Sequence, residues 1–358
     1  MKLSYVCTWN KIKELTWSGT TFYLMKAMEK YFDLTNYDIQ MDYPNGTIVN
    51  HNSSLGRAIL SRKAKKILKE SDANIVFQID DYVIMEDKIN CIYQDLSIDS
   101  ILYHSKYKRD IFLHSNFEEV DEELLENRNK WQKQFLDKVD FVFTMSEWLA
   151  ENLIHYTKLP PKKIHVVGAG VNIDVSKVNY SHKVGNKILF IGRDFERKGG
   201  VLTIEAFMLL KERMPEAELF IVGPVNKPFI GEVNGIHFIG ELPYDKLPDY
   251  YNLCDVFCMP SIFEAYGIVF AEALIYGLPC IGRNDFAMSE LIKDSYSGYL
   301  LNQDSPDILA EKMYDLLKNK EIHENVKKEH KNYVETYSWD AVAQRIYNIL
   351  DDNKFKNI

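Results

Sequence analysis

Short apolar runs alternate with helical patterns along most of this chain, and that alternation constrains the fold more than any other feature. It is the signature of βαβ units, because parallel neighbours in a sheet need a long crossover between them. In the first half, runs at 2–8, 73–79, 88–95, 141–145 and 163–170 read as strands, with helices expected over 19–31, 54–70, 117–138 and 146–156. Residues 170–187, GVNIDVSKVNYSHKVGNK, are polar, lack a helical period and read as a linker. The pattern then restarts. Strands are expected at 187–192, 218–223, 235–240, 255–261 and 279–282, and helices at 199–213, near 245–252 and at 267–276. At 358 residues the chain is too long for one ordinary core. We expect an α/β protein of two Rossmann-like, doubly wound parallel-sheet domains facing a cleft, one over 1–174 and one over 175–338. A last helical pattern at 339–353 could belong to either; the segment 339–358 is read as a completion of the first.

Composition excludes several classes. The net charge of −9 argues against bulk nucleic-acid binding. No apolar run is long enough to span a membrane, and MKLSYVCTWN reads as a first strand without a signal-peptide core. Five scattered cysteines imply no disulfide framework, and a reducing cytoplasm is the natural compartment. Cys254 and Cys258, in CDVFCMP, read as small apolar strand residues, since no second Cys or His pair accompanies them as metal ligands.

Open α/β sheets bind ligands beyond the carboxyl ends of their strands, so the chemistry is sought just after each strand. GRDFERKGG follows the strand at 187–192. Gly192 ends that strand, Arg193 and Lys198 flank a short loop, and Gly199-Gly200 opens a helix. Two positive charges beside a helix N-terminus suit a diphosphate. The plainer reading is a solvated basic turn with Glu196 as its ion-pair partner. The next motif is PSIFEAYGIVFAEALIYGLPCIG, 260–282. Glu264 falls in a loop, and Glu272 lies about a turn and a half inside the following helix on an apolar face. A buried carboxylate needs donors, and sugar hydroxyls are suitable ones. Were both glutamates helical, eight positions at about 1.5 Å would separate them by roughly 12 Å. Glycosidase carboxyl pairs stand about 5–9.5 Å apart, which weakens a glycosidase reading and leaves it open. Two ends of one long ligand with a charged middle fit better, and a nucleotide sugar is such a ligand.

These motifs, with SELIKDSYSGYLL at 289–301, resemble the retaining GT-B glycosyltransferases of the large family 4 type over roughly 187–302. The resemblance implies that Arg193 and Lys198 contact the donor diphosphate, that Glu264 holds the donor sugar, and that Glu272 binds the ribose. Backbone amides near Tyr266, Gly267 and Ile268 would cradle the phosphate; Tyr266 departs from the Phe usual before that glycine. In the first half, TWSGTTFYLMKAM (16–28) places Gly19 where the family has a glycine-rich turn, and WSGT is similar to a bacterial subset. A plain helix N-cap by Ser18 or Thr20 is the other reading. HVVGAGVNID (165–174) resembles the family's junction turn, with Gly170 and Asn172 in place. Asp95, just after a strand in CIYQDLSID (91–99), and His114 are candidates for the acceptor side, with His104 between them.

The expected activity is therefore metal-independent transfer of a hexose-type sugar, with retention, from a UDP- or GDP-linked donor to a saccharide or lipid-linked acceptor, in bacterial surface polysaccharide synthesis. No cofactor or metal is expected: no D-x-D pair follows a strand, and no G-x-G-x-x-G marks a dinucleotide site. A sugar-nucleotide epimerase or hydrolase of the same fold, or a non-catalytic nucleotide-sugar-binding protein, are the alternatives. The helix over 54–70 is rich in Arg57, Arg62, Lys63, Lys65, Lys66 and Lys69, with an apolar stripe of Leu60, Ala64, Ile67 and Leu68. We read it as a surface helix packed by that stripe, with peripheral contact to the inner face of a membrane as the alternative. The acidic stretch 118–126 reads as a solvated helix start.

Overall fold

The computed structural model describes residues 1–40, 52–179, 185–228, 231 and 233–354. Linker residues 180–184 and the last four residues of the C-terminal segment, 355–358, lie outside the described residues. The chain divides into two compact units: residues 1–170 with 338–358, and residues 171–337. The first boundary thus falls at Gly170 rather than 174.

In the first unit, β1 (Lys2–Cys7), β2 (Asp33–Asp38), β3 (Ile75–Gln78), β4 (Ile89–Gln94), β5 (Phe141–Thr144) and β6 (Ile164–Val166) form a parallel sheet in the order β2-β1-β3-β4-β5-β6. Its helices are α1 (Thr20–Met28), α2 (Ser54–Leu68), α3 (Ile98–Tyr107), α4 (Arg109–Phe112), α5 (Glu122–Lys138) and α6 (Glu147–Asn152). In the second unit, β7 (Lys187–Ile191), β8 (Glu218–Val222), β9 (Ile236–Gly240), β10 (Val256–Cys258), β11 (Cys280–Arg283) and β12 (Gly298–Leu301) form another parallel sheet, ordered β12-β11-β10-β7-β8-β9. Its helices are α7 (Gly200–Arg213), α8 (Leu247–Leu253), α9 (Ile268–Ile275), α10 (Met288–Leu291), α11 (Pro306–Lys318), α12 (Lys320–Lys328) and α13 (His330–Thr336). A final helix, α14 (Trp339–Lys354), returns to the first unit. Two doubly wound α/β sheets are the architecture expected.

Strands buried on both faces read as continuous apolar runs, and β3 and β10 are buried at every position. The edge strands β2 and β12 break that rule. DLTNYD alternates exposed and half-buried residues, so it carries no apolar run to find. Across the first sheet, Tyr5, Phe77 and Phe143 stack on one face at centroid distances of 5.7 and 5.9 Å. The ladder's hydroxyl ends reach backbone: Tyr5 donates to the Thr21 carbonyl at 2.8 Å, and the nearby Tyr93 to the Gly168 carbonyl at 2.8 Å. At the acidic stretch, α5 begins at Glu122, with the Asp121 side chain accepting from the Glu123 and Leu124 amides at 2.8 and 3.3 Å.

Docking of α14 combines apolar burial with polar pins. Val342, Ala343, Ile346 and Leu350 are buried. Asp340 accepts from Lys30 at 2.7 Å and from the Tyr31 hydroxyl at 3.1 Å, and Arg345 donates to the Val167 carbonyl at 2.8 Å. A Cβ on Gly170 would lie 2.4 Å from the Trp339 amide nitrogen, so only glycine fits there.

On α2 the apolar stripe packs as expected: Leu60, Ala64 and Leu68 join Val6, Ile39 and Val76 in one core, with Ile67 against its edge. Arg57, however, is not part of a solvated basic face. Its side chain is 1% exposed and lies between two carboxylates. It donates to Asp80 at 2.7 Å and pairs with Asp81, while Arg128 donates to Asp81 at 2.6 and 2.7 Å and to Asp80 at 3.2 Å. Helical periodicity cannot separate this arginine from its neighbours, because its partners lie far away in sequence. Removing one member of such a cluster strands a buried charge. Arg57→Met should lower stability to urea by about 3–5 kcal/mol, whereas Arg62→Met, on the exposed side of the same helix, should stay within about 0.5 kcal/mol.

Candidate functional site

In the second sheet the strand order reverses between β7 and β10, with β8 and β9 running out on one side and β11 and β12 on the other. At such a point the loops leaving the two strands diverge and open a crevice beyond their carboxyl ends. These loops are GRDFERKG (192–199) and MPSIFEAYG (259–267). Backbone contacts lock them together. The Ile262 amide donates to the Arg197 carbonyl at 2.7 Å, and the Arg197 guanidinium donates to the Phe263 carbonyl at 2.9 Å. Asp194 holds the same guanidinium at 2.8 Å. A Cβ on Gly199, whose φ is +76°, would come within 2.3 Å of the Pro260 carbonyl oxygen. A Cβ on Gly192 would lie 2.7 Å from the Lys198 side chain.

The consequence is an ion pair between Lys198 and Glu264, whose side chains are 15% and 11% exposed. Burial draws the Lys198 ammonium below its ordinary pKa, and the Glu264 charge opposes that shift. Gly267, at φ +86°, then opens α9, and no side chain caps that helix. The first-turn amides beyond Tyr266 and Gly267, starting at Ile268, therefore receive no capping side chain from Gly267.

Glu272 sits in the interior of α9 and is 1% exposed. It accepts from the Tyr251 hydroxyl at 2.9 Å and from the Asn172 amide at 3.4 Å. Burial pushes its carboxyl up to about 7, against the pull of those two hydrogen bonds. Arg193 is placed differently: its side chain is 66% exposed and pairs with Glu241 at 3.0 Å. The ion-pair partners of Arg193 and Lys198 are thus Glu241 and Glu264, not Glu196. The sequence reading also missed Arg197 as the residue that staples the two loops, although it lies within the quoted motif. It missed Tyr251 too, which had no signal beyond its place in an expected helix.

In the first sheet the reversal falls between β1 and β3. A pocket of about 430 Å³ lies beyond the ends of β1, β3 and β4, with Asp95 in its wall beside Gln94, Asp80 and Trp17. Gly19, at φ +95°, is itself the N-cap residue of α1 and has no side chain to cap it with. Trp17 and Ser18 before it are also left-handed, at φ +47° and +55°. Such conformations cost on the order of 1–3 kcal/mol each for residues with a Cβ. The surroundings hold them: the Trp17 ring meets Tyr93 edge-on at 6.1 Å. His114 is not brought to this pocket; its Nδ1 donates to the Asp110 carbonyl at 2.9 Å, just past α4. His104 is buried, with Nδ1 2.7 Å from the Ser100 carbonyl.

Comparison with known proteins bears on the second unit above all. Residues 174–333 match the family model described as glycosyl transferases group 1. An uncharacterized glycosyltransferase of Methanocaldococcus jannaschii is 29% identical over 230 residues, covering 58% of this chain and 59% of that protein. The D-inositol 3-phosphate glycosyltransferase of Corynebacterium glutamicum is 23% identical over 253 residues, covering 63% and 60%. The chain therefore matches about three-fifths of the length of either relative. In fold, it is similar to the Anabaena protein HepE, solved in complex with UDP and glucose, with a TM-score of 0.67 at 13% identity over 98% of this chain and 99% of that one.

Glu272 yields a pH prediction. Its folded pKa lies above the ordinary 4.5, so between 4.5 and about 7 the folded chain holds a proton that the unfolded chain has released. Stability therefore falls as pH rises through that window, and the full cost is present above it. Glu272→Gln should be more stable than the parent above pH 7 by about 3 kcal/mol, and should match it in acid, read from melting curves across pH. Residues 174–333 of the second unit thus match the glycosyl transferases group 1 model, and the chain's two-sheet α/β architecture is similar in fold to GT-B neighbours.

Proposed function

We propose that the protein is a retaining, metal-independent glycosyltransferase that moves a hexose-type sugar from a UDP- or GDP-linked donor to a saccharide or lipid-linked acceptor, in bacterial surface polysaccharide synthesis. The observation that carries this reading is the Lys198–Glu264 pair standing before the uncapped start of α9, with buried Glu272 on the same helix. The group 1 match spans all of these residues and supports it.

In this reading Lys198 and Arg193 meet the donor diphosphate, and the amides around Tyr266, Gly267 and Ile268 cradle it. Glu264 holds the donor sugar and Glu272 takes the ribose hydroxyls. The acceptor hydroxyl oxygen attacks the anomeric carbon from the leaving-group face while the bond from that carbon to the phosphate oxygen breaks. The departing phosphate oxygen takes the acceptor's proton, and Lys198 with the amides stabilises the charge that builds there. The first unit's pocket, with Asp95 in its wall, takes the acceptor. Peripheral contact with an anionic membrane surface would use the exposed side of α2, where Leu55 and Ile59 stand beside Arg62, Lys65 and Lys66. Replacing Leu55 and Ile59 by Ser should then abolish sedimentation with anionic vesicles; unchanged sedimentation removes the helix from this role.

A panel of UDP-, GDP- and ADP-sugars tests the donor assignment, read as thermal stabilisation and as release of nucleoside diphosphate with EDTA present. One donor should stabilise the protein, with release that survives EDTA; silence across the panel overturns the reading. Lys198→Ala and Glu264→Ala should each lose at least about 100-fold in transfer while keeping the native circular dichroism spectrum. Full activity in either variant removes that residue from the mechanism.

A further inference from the structure

Among the described residues Glu272 meets only donors, and they leave part of its carboxylate unused. We propose that Tyr251 is a positioning residue for ribose recognition: its hydroxyl fixes the Glu272 carboxylate with acceptor sites open toward the neighbouring 2′- and 3′-hydroxyls of a nucleotide. This rests on the reading of Glu272 as the ribose ligand.

Three separate segments of the second unit converge on this carboxyl group. Tyr251, in α8, donates its hydroxyl to Glu272 Oε2 at 2.9 Å. The Asn172 backbone amide donates to Oε1 at 3.4 Å. Each donor is itself held. The Tyr251 ring is fully buried, with the Tyr276 ring 5.3 Å away and the Phe257 ring 6.5 Å away. The Tyr276 hydroxyl in turn donates to the Asp174 carbonyl. Beside Asn172, the Val171 amide donates to the Tyr337 carbonyl at 2.9 Å. The Tyr251 hydroxyl therefore reaches Glu272 from a ring that is packed in place.

An ionised carboxylate offers about four lone-pair sites. Tyr251 takes one on Oε2, and Asn172 takes one on Oε1. About two sites remain, one on each oxygen. Two hydroxyls on adjacent ring carbons match them, each donating to one oxygen. Of the two protein donors Tyr251 is the stronger, because 2.9 Å is an ordinary hydrogen-bond length and 3.4 Å is near the limit. Without its hydroxyl the carboxylate keeps only the long amide contact and turns more freely about its last torsion. Ribose binding must then order it, at a cost in affinity. Burial pushes the Glu272 carboxyl up to about 7, and the Tyr251 hydrogen bond pulls it down. The bond that orients the group thus also favours its ionised, accepting form. Position along α9 agrees. Ile268, the first residue of the helix, lies four residues before Glu272, roughly 6 Å along the axis. One nucleotide can span that step, with phosphate at the helix start and ribose at Glu272.

The test is calorimetric titration of the full chain with UDP, GDP and ADP and with their 2′,3′-dideoxy counterparts. The parent should bind one ribonucleotide at least about tenfold tighter than its dideoxy form. Tyr251→Phe removes one oxygen and keeps the ring. It should bring the two forms within about threefold of each other, by weakening the ribonucleotide and leaving the dideoxy form unchanged. A residue that only packs the core would weaken both forms alike. Glu272→Asp keeps the charge, withdraws it by one methylene from the Tyr251 hydroxyl, and should erase the preference as well. Equal weakening of both forms in Tyr251→Phe, or a parent-like preference in either variant, overturns the positioning role while Glu272 keeps the ribose. Equal binding of the two forms by the parent, or no binding of any ribonucleotide, removes Glu272 from the ribose and overturns both the reading beneath the proposal and the proposal itself.

Discussion

Much of the second unit depends on how closely two backbones approach at the strand-order reversal between β7 and β10. Gly199 lies against the Pro260 carbonyl at a distance no side chain tolerates, and Arg197 ties its own loop to the Phe263 carbonyl. Gly223, at the end of β8, crowds Gly192 in the same way: a Cβ there would fall 2.7 Å from the Gly192 carbonyl carbon. Three strand ends are thereby drawn to one spot. Lys198 and Glu264, 66 residues apart in the chain, meet because the loops carrying them cannot stand further apart. A rigid scaffold of this kind holds charged groups in place before any ligand arrives, and that is the main requirement for electrostatic stabilisation of a leaving group.

The two units handle buried charge differently. In the first, Arg57, Arg128, Asp80 and Asp81 neutralise one another inside a cluster that also receives the Trp131 indole N–H on the Asp81 carbonyl at 3.1 Å. Its charges are nearly used up internally, so it shapes the pocket wall without adding net charge. In the second, Lys198 has a carboxylate partner and Glu272 has only neutral donors. A carboxylate with a hydroxyl and one long amide contact is poorly compensated, which is why burial dominates its pKa. Sites that must later receive a polar ligand carry such under-compensated groups at a cost in stability.

Legibility in the sequence followed burial and sequence separation. Strands buried on both faces were visible as apolar runs, whereas β2 and β12 were not, although the other two edge strands, β6 and β9, were. The helices of 306–336 were also left unread, although Ser305 and Asn319 mark two of their starts by accepting from the Ile308 and Ile322 amides. In the candidate site of the second unit, the positions of Gly192, Lys198, Glu264, Gly267 and Glu272 were legible because glycine punctuation and carboxylates on an apolar helix are local signals. Tyr251 and Asn172 were not, since they reach Glu272 from separate segments. On the other side, Asp95 was legible from its place after a strand, but His114 was placed with it on residue type alone. A histidine 19 positions further along has no reason to share the wall once α3 and α4 intervene.

By itself, the sequence determined the two parallel α/β sheets, the loops that leave their strands at the candidate site, and the glycines those loops require. All of these follow from period, burial and backbone conformation within a short window. Only the tertiary structure decided which unit α14 completes, that Arg57 is a buried ion-cluster member rather than a surface charge, and that Lys198 faces Glu264 while Arg193 faces Glu241. Each of these depends on partners far away in the chain, and a charged side chain reads the same in a sequence whether water or a carboxylate surrounds it.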